Sequence, residues 1–257
     1  MNKNIFRKRK KYFLLFVILF SFSFGNNLVA QDSSEVILLN SAILALENDS
    51  LNLSIEYFNE YIGLVDNNPE AFFKRGLAYF YLGKYFEAMD DVNKAIILDS
   101  NYAEAYNVRG LINKRKNDNN QAYEDYSKAI QLNPDFEEAY NNRGIVLGEL
   151  QKFQSAINDF SKAIQFNPRY TDAYFNRSYV YIEIDEYNRA ILDLNITIEL
   201  NPNYLQAYLS RGMAYYFARK YQNAINDLEY VIKEDSSYEK DVMPFIKEAK
   251  KHLKMQK

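Results

Sequence analysis

The chain has 257 residues, 48% of them hydrophobic and 25% charged, with 31 Lys and Arg against 34 Asp and Glu, 23 Tyr, 18 Phe, and neither Cys nor Trp. This is the balance of a globular protein, and the missing cysteines exclude disulfide staples, a zinc–thiolate cluster and a thiol nucleophile. The acidic excess excludes the broad basic footprint on which nucleic-acid binding rests.

Residues 1–30 have the layout of a secretory signal peptide. Lys3, Arg7, Lys8, Arg9, Lys10 and Lys11 are followed by the apolar run YFLLFVILFSFSF at 12–24 and then by GNNLVA, a basic, apolar and small-residue order typical of exported chains. Cleavage is expected after Ala30, leaving Gln31 first and the protein in the periplasm or outside the cell. The competing reading is a retained anchor, against which the apolar run of 13 residues falls short of the roughly 20 needed to cross a bilayer. Removing 1–30 takes away six basic and no acidic residues, so the mature chain has 25 basic against 34 acidic residues, a formal charge of −9. Such a surface repels phosphate backbones.

From residue 69 onward the sequence returns to itself every 34 residues. AFFKRG (71–76), AYNVRG (105–110), AYNNRG (139–144), AYFNRS (173–178) and AYLSRG (207–212) align on Arg75, Arg109, Arg143, Arg177 and Arg211, and a fixed period in this range marks a repeat architecture. One alanine column holds Ala71, Ala105, Ala139, Ala173 and Ala207, and a second holds Ala88, Ala122, Ala156, Ala190 and Ala224. Small residues at fixed places let two helices approach closely, and large ones at helical spacing fill the space between them. Each unit therefore reads as a helix of about 12 to 14 residues, a turn, a second helix and a loop. Asn-Pro at 133, 167 and 201 ends the second helix. No stretch alternates in the manner of a strand.

The pattern resembles the tetratricopeptide repeat, a helix-turn-helix unit of the same length; the third unit carries the family's small and aromatic positions at Tyr140, Gly144, Leu147, Ala156, Phe160, Ala163 and Pro168. The resemblance implies an all-α, right-handed superhelical solenoid. Its units are 69–102, 103–136, 137–170, 171–204 and 205–238, with the strong match over 69–236. Residues 35–68 resemble a degenerate first repeat, with Ser54 and Tyr61 where alanines are usual, and 239–257 resemble the polar-faced helix that closes such arrays. The second unit departs most: Asn113 and Asn119 stand where other units have Tyr79 or Tyr181 and Tyr85 or Tyr187, so its turn is expected to be the softest place in the array.

The arginine column calls for a counter-charge, since a half-buried guanidinium without an acid is costly. One acidic column keeps the same register: Asp91, Asp125, Asp159, Asp193 and Asp227, each sixteen residues beyond an arginine. That separation leads from the middle of the first helix to the facing part of the second, where Arg and Asp form a bidentate pair. The competing reading, an arginine stripe gripping an anionic partner, is disfavoured because each arginine has a matched acid.

By resemblance, the concave face lined by the first helices binds a peptide or protein partner. Its candidate residues are Phe73, Leu77 and Phe80, then Asn107, then Asn142 and Ile145, then Phe175, Asn176 and Tyr179, and then Met213 and Tyr216. Amides suit a peptide backbone and rings suit its side chains. Members of the family that clamp acidic chaperone tails need basic residues where this chain has Glu70, Glu104, Glu138 and Asp172, which repel such a tail. The one histidine, His252, lies among lysines, and no glycine-rich phosphate loop is present. The expectation is a non-catalytic scaffold without cofactor or metal, with no nucleic-acid partner, acting in a bacterial envelope complex. The alternatives are a self-associating structural protein or an accessory subunit of an envelope enzyme.

Overall fold

The computed structural model describes residues 27–255, which hold thirteen α-helices, one short 3-10 turn and no strand. Residues 1–26, most of the expected signal peptide, lie outside the described residues. The described residues divide into two compact units, one ending at Ile112 and the other beginning at Asn113.

The first unit contains α1 (Asn27–Glu47), α2 (Leu51–Leu64), α3 (Pro69–Tyr81), α4 (Tyr85–Leu98) and most of α5 (Ala103–Arg115). Ser54, one of the two departures from alanine in α2, is fully buried and donates its hydroxyl to the carbonyl of Ala42 at 2.9 Å. Tyr61, the other, accepts from Asn68 Nδ2 at 2.8 Å, while Asn68 Oδ1 caps α3 by accepting from the backbone of Glu70 and Ala71. Phe72, Phe73, Val92, Val108 and Ile112 build the main core of this unit.

The second unit continues from the end of α5 through α6 (Asn119–Leu132), α7 (Glu137–Glu149), α8 (Phe153–Phe166), α9 (Thr171–Glu183), α10 (Tyr187–Leu200), α11 (Leu205–Phe217), α12 (Tyr221–Glu234) and α13 (Glu239–Met255). Helices adjacent in sequence pack from α6 onward, and α9 also touches α7 and α11. Leu147, Ile157, Phe160, Val180, Tyr181, Ile191 and Leu194 form its central core, and Val242 and Ile246 of α13 close its end against Ile225 and Leu228.

Both alanine columns are fully buried in every repeat, the close helix approach that small residues permit. Gly144 carries this furthest: a Cβ there would stand 2.7 Å from the ring of Phe160, so the aromatic side chain occupies the space that glycine leaves.

The turn inside each helical pair is a backbone device. Asp49, Gly83, Asn117, Gln151, Asp185 and Arg219, again 34 residues apart, all have φ between 55° and 73°. At the fourth, the amide of Gln151 donates to Gly148 O at 2.9 Å and that of Lys152 to Leu147 O at 2.8 Å, the paired bonds of a Schellman stop. The same pair recurs at the other five turns. Between repeats, Asn133, Asn167 and Asn201 each accept from the backbone amide two residues on, so these side chains turn the chain toward the next unit.

Candidate functional site

Four of the arginines form forked pairs with their aspartates. Arg75 Nε and Nη2 reach Asp91 at 2.7 and 2.6 Å, and Arg143 reaches Asp159 at 2.7 and 2.9 Å. Arg177 binds Asp193 at 2.8 and 2.7 Å, and Arg211 binds Asp227 at 2.7 and 2.8 Å. Arg109 and Asp125 fall in different units; within its own unit Arg109 donates to Asn93 at 3.0 Å, and Asp125 accepts from Asn113 at 2.9 Å.

Each arginine also has a partner that the acidic column does not disclose. The remaining Nη1 donates backward to the second helix of the preceding pair: Arg75 to Asn59, Arg109 to Asn93, Arg143 to Ser127, Arg177 to Ser161 and Arg211 to Asn195, at 2.8 to 3.2 Å. The guanidinium thus ties one helical pair internally and to its predecessor. Burial opposes the charge on Arg143 and Arg177, but the hydrogen bond and charge of the facing aspartate outweigh it and hold both groups above the ordinary guanidinium value. These arginines are committed within the fold.

The candidate groove residues separate into two groups. Phe73 is buried with its ring 4.8 Å from that of Tyr102. Leu77 and Phe80 pack against the first-unit core, and Asn107 is buried. Met213 and Tyr216 are covered by the last helix, with the Tyr216 ring 5.2 Å from Phe245; burial, followed by a hydrogen bond to Glu248, pushes the Tyr216 phenol up to about 12. Of these, Phe73 and Asn107 are buried, and Leu77, Phe80, Met213 and Tyr216 are half-buried against the apolar cores.

The other group meets at a cavity of about 450 Å³ in the second unit. Ile145 on α7 and Phe175, Asn176 and Tyr179 on α9 form its opposing sides, and Phe153 and Phe160 of α8 complete the apolar lining. Gly144 and Gly148 also line it, leaving room that side chains on α7 would fill. Phe175 is held by stacking on Tyr204 at 4.9 Å. Asn176 donates to Oδ1 of the buried Asn141 at 3.0 Å, which fixes the amide plane. Tyr179 is 58% exposed, a large ring presented to solvent. Asn142, one turn before Ile145, is half-buried and does not line this cavity.

Glu149 and Glu183, the last residues of α7 and α9, also line the cavity, as does Gln151 in the turn after α7. The charge pattern of the sequence marks acids at the starts of the first helices, whereas a lone Glu at a helix terminus carries no sequence signal of a cavity. Glu149 is paired with Lys114 at 2.7 Å and accepts from Asn119 at 3.1 Å. At the other end of the same helices, burial and then the nearby Glu138, Asp172 and Glu137 push the Tyr170 phenol up.

Family models of the tetratricopeptide repeat match residues 69–102, 137–170 and 171–204, and a further repeat model matches 110–151. No curated protein sequence matches significantly. Among solved structures, MamA is similar over 67% of this chain and 94% of its own at 25% identity, with a TM-score of 0.58. YrrB, described as a tetratricopeptide repeat protein with an unusual peptide-binding site, is similar over 66% of this chain and 88% of its own, at 20% identity and TM-score 0.54. PilF of Pseudomonas aeruginosa is similar over 80% of this chain and 94% of its own, at 14% identity and TM-score 0.72.

Proposed function

The chain belongs to the tetratricopeptide repeat family, and we propose that it is a non-catalytic scaffold that holds a peptide or protein partner between the first helices of its repeats. The observation that carries this reading is the cavity between α7 and α9. Its volume lies in the range of ligand sites, and it combines an apolar aromatic wall with one oriented amide. With Asn176 Nδ2 committed to Asn141, its carbonyl oxygen serves as an acceptor for a peptide N–H, while Phe175 and Tyr179 offer rings to the adjoining side chain. The peptide-binding site named for YrrB supports the same use of the fold.

The basic and apolar order of residues 1–24 supports export, and with it a place in a bacterial envelope complex. No helix of the described residues is long and apolar enough to cross a membrane.

Selection of a random peptide library on the purified full chain tests the groove. Selected peptides are expected to lose at least tenfold in affinity with Tyr179→Ala, while far-UV circular dichroism and the melting curve stay unchanged. Undiminished affinity in that variant moves the binding surface elsewhere. N-terminal analysis of protein from its own host, expected to begin near Gln31, tests export; an intact Met1 in the membrane fraction favours the anchor.

A further inference from the structure

Building on the groove reading, we infer that the cavity between α7 and α9 takes a lysine or arginine side chain of the bound peptide. The lining has two parts that suit such a side chain and few others. Ile145, Phe153, Phe160 and Phe175 form an apolar channel for an aliphatic stem, with Tyr179 at its exposed side. Glu149 and Glu183 stand at the rim where the charged head emerges. No lysine or arginine lines the cavity.

The two carboxylates are not equivalent. Glu149 is partly neutralised by Lys114. Glu183 is exposed and has no hydrogen-bond or ion-pair partner among the described residues, so it is the open acceptor. Both close their helices, and neither α7 nor α9 has a basic residue in its last turn. A helix C-terminus carries partial negative charge and favours a cation. Glu183 adds a carboxylate to the carbonyls that end α9, and an arriving ammonium or guanidinium relieves that repulsion. Aromatic rings add attraction for a cation over their faces. The acids around Tyr170 place further negative charge at the far end of the same helices, so an acidic segment is disfavoured at both ends of α7 and α9.

The library selection on the full chain tests this separately from the groove itself. Selected peptides are expected to share one Lys or Arg whose replacement by norleucine weakens binding at least tenfold, with a steep loss of affinity as salt is raised. Glu183→Gln is expected to weaken the same peptides by a similar factor, whereas Glu199→Gln, an exposed acid on α10 that does not line the cavity, leaves them unchanged. Glu183→Lys should redirect selection toward Asp- or Glu-bearing peptides, which keeps the test decisive if neutralisation alone has a small effect. Peptides that depend on Tyr179 but share no basic residue overturn the inference and leave the groove reading standing. Equal losses in the Glu183 and Glu199 variants also overturn it, since they report only the acidic net charge. A library that yields no binder removes the groove reading and this inference together.

Discussion

Arg143 and Asp159 are joined by two parallel hydrogen bonds at 2.7 and 2.9 Å, and the third arm of the same guanidinium reaches Ser127 on the preceding helical pair. The two charged side chains are only 19% and 9% exposed. Removing either is therefore expected to cost about 2 kcal/mol, between the ~0.2–1 of exposed pairs and the ~3–5 of buried ones. Ser127→Ala removes one bond and should cost about 0.5–1.5 kcal/mol. Replacing both charges, Arg143→Leu with Asp159→Tyr, should recover most of the loss by restoring an apolar contact. A double-mutant cycle from urea midpoints measures the coupling. Additive losses would remove the pair from the account of stability.

The repeat fold was legible because its steric rules leave fixed side chains: alanine wherever two helices touch, and arginine matched by aspartate sixteen residues on. The backward bond of each arginine was not legible. Its acceptors are Asn59, Asn93, Ser127, Ser161 and Asn195, two residue types that share only an oxygen. The left-handed turn column is more hidden still, since Asp49, Gly83, Asn117, Gln151, Asp185 and Arg219 share a backbone angle and no side-chain property. For the groove, Tyr179 and Met213 occupy the same place in successive repeats, yet one lines a cavity and the other lies under α13. That difference belongs to the neighbouring helix, which no single repeat encodes.

Gly144 gives a sharp test of packing. A methyl group there would meet the Phe160 ring at 2.7 Å, too near for ordinary contact, so Gly144→Ala should destabilise by about 1–3 kcal/mol through overpacking. In the next repeat Ser178 occupies the same place and Leu194 stands where Phe160 does, both fully buried. Gly144→Ser with Phe160→Leu should accordingly be more stable than Gly144→Ser alone. If the second substitution brings no recovery, the ring is not what demands glycine.

The left-handed turns predict an unusual preference for glycine. Arg219 has φ 59°, a conformation that costs a side chain roughly 1–2 kcal/mol and glycine almost nothing, against a loss of about 0.5–1 kcal/mol for glycine's freedom in the unfolded chain. Arg219→Gly should therefore be neutral or stabilising by up to about 1 kcal/mol, and Arg219→Val should be destabilising. Urea unfolding of the two variants reads the difference. A glycine that destabilises as much as valine would mean the arginine side chain, and not the turn, sets stability there.

The turn between α5 and α6 replaces aromatic contact with polar bonds. Asn113, buried where Tyr79, Leu147, Tyr181 and Tyr215 stand in the other repeats, donates to Asp125 at 2.9 Å. Asn119, where they have Tyr85, Phe153, Tyr187 and Tyr221, donates to Glu149. Its own Oδ1 is buried without a hydrogen-bond partner, and a lost acceptor of this kind costs about 1–3 kcal/mol. Two amides where the other repeats have large apolar or aromatic side chains also leave fewer apolar contacts across the turn. Backbone amides of 116–118 are therefore expected to exchange with deuterium before those of 150–152, 184–186 and 218–220. Asn119→Tyr removes the unpaired acceptor and restores a ring, at the loss of the exposed bond to Glu149, and should raise stability by about 1 kcal/mol. It should also slow exchange at 116–118 more than at the other turns. Equal protection at all four turns, or a lowered urea midpoint in the variant, would show that the polar bonds of Asn113 and Asn119 hold this turn as firmly as the aromatic residues hold the others.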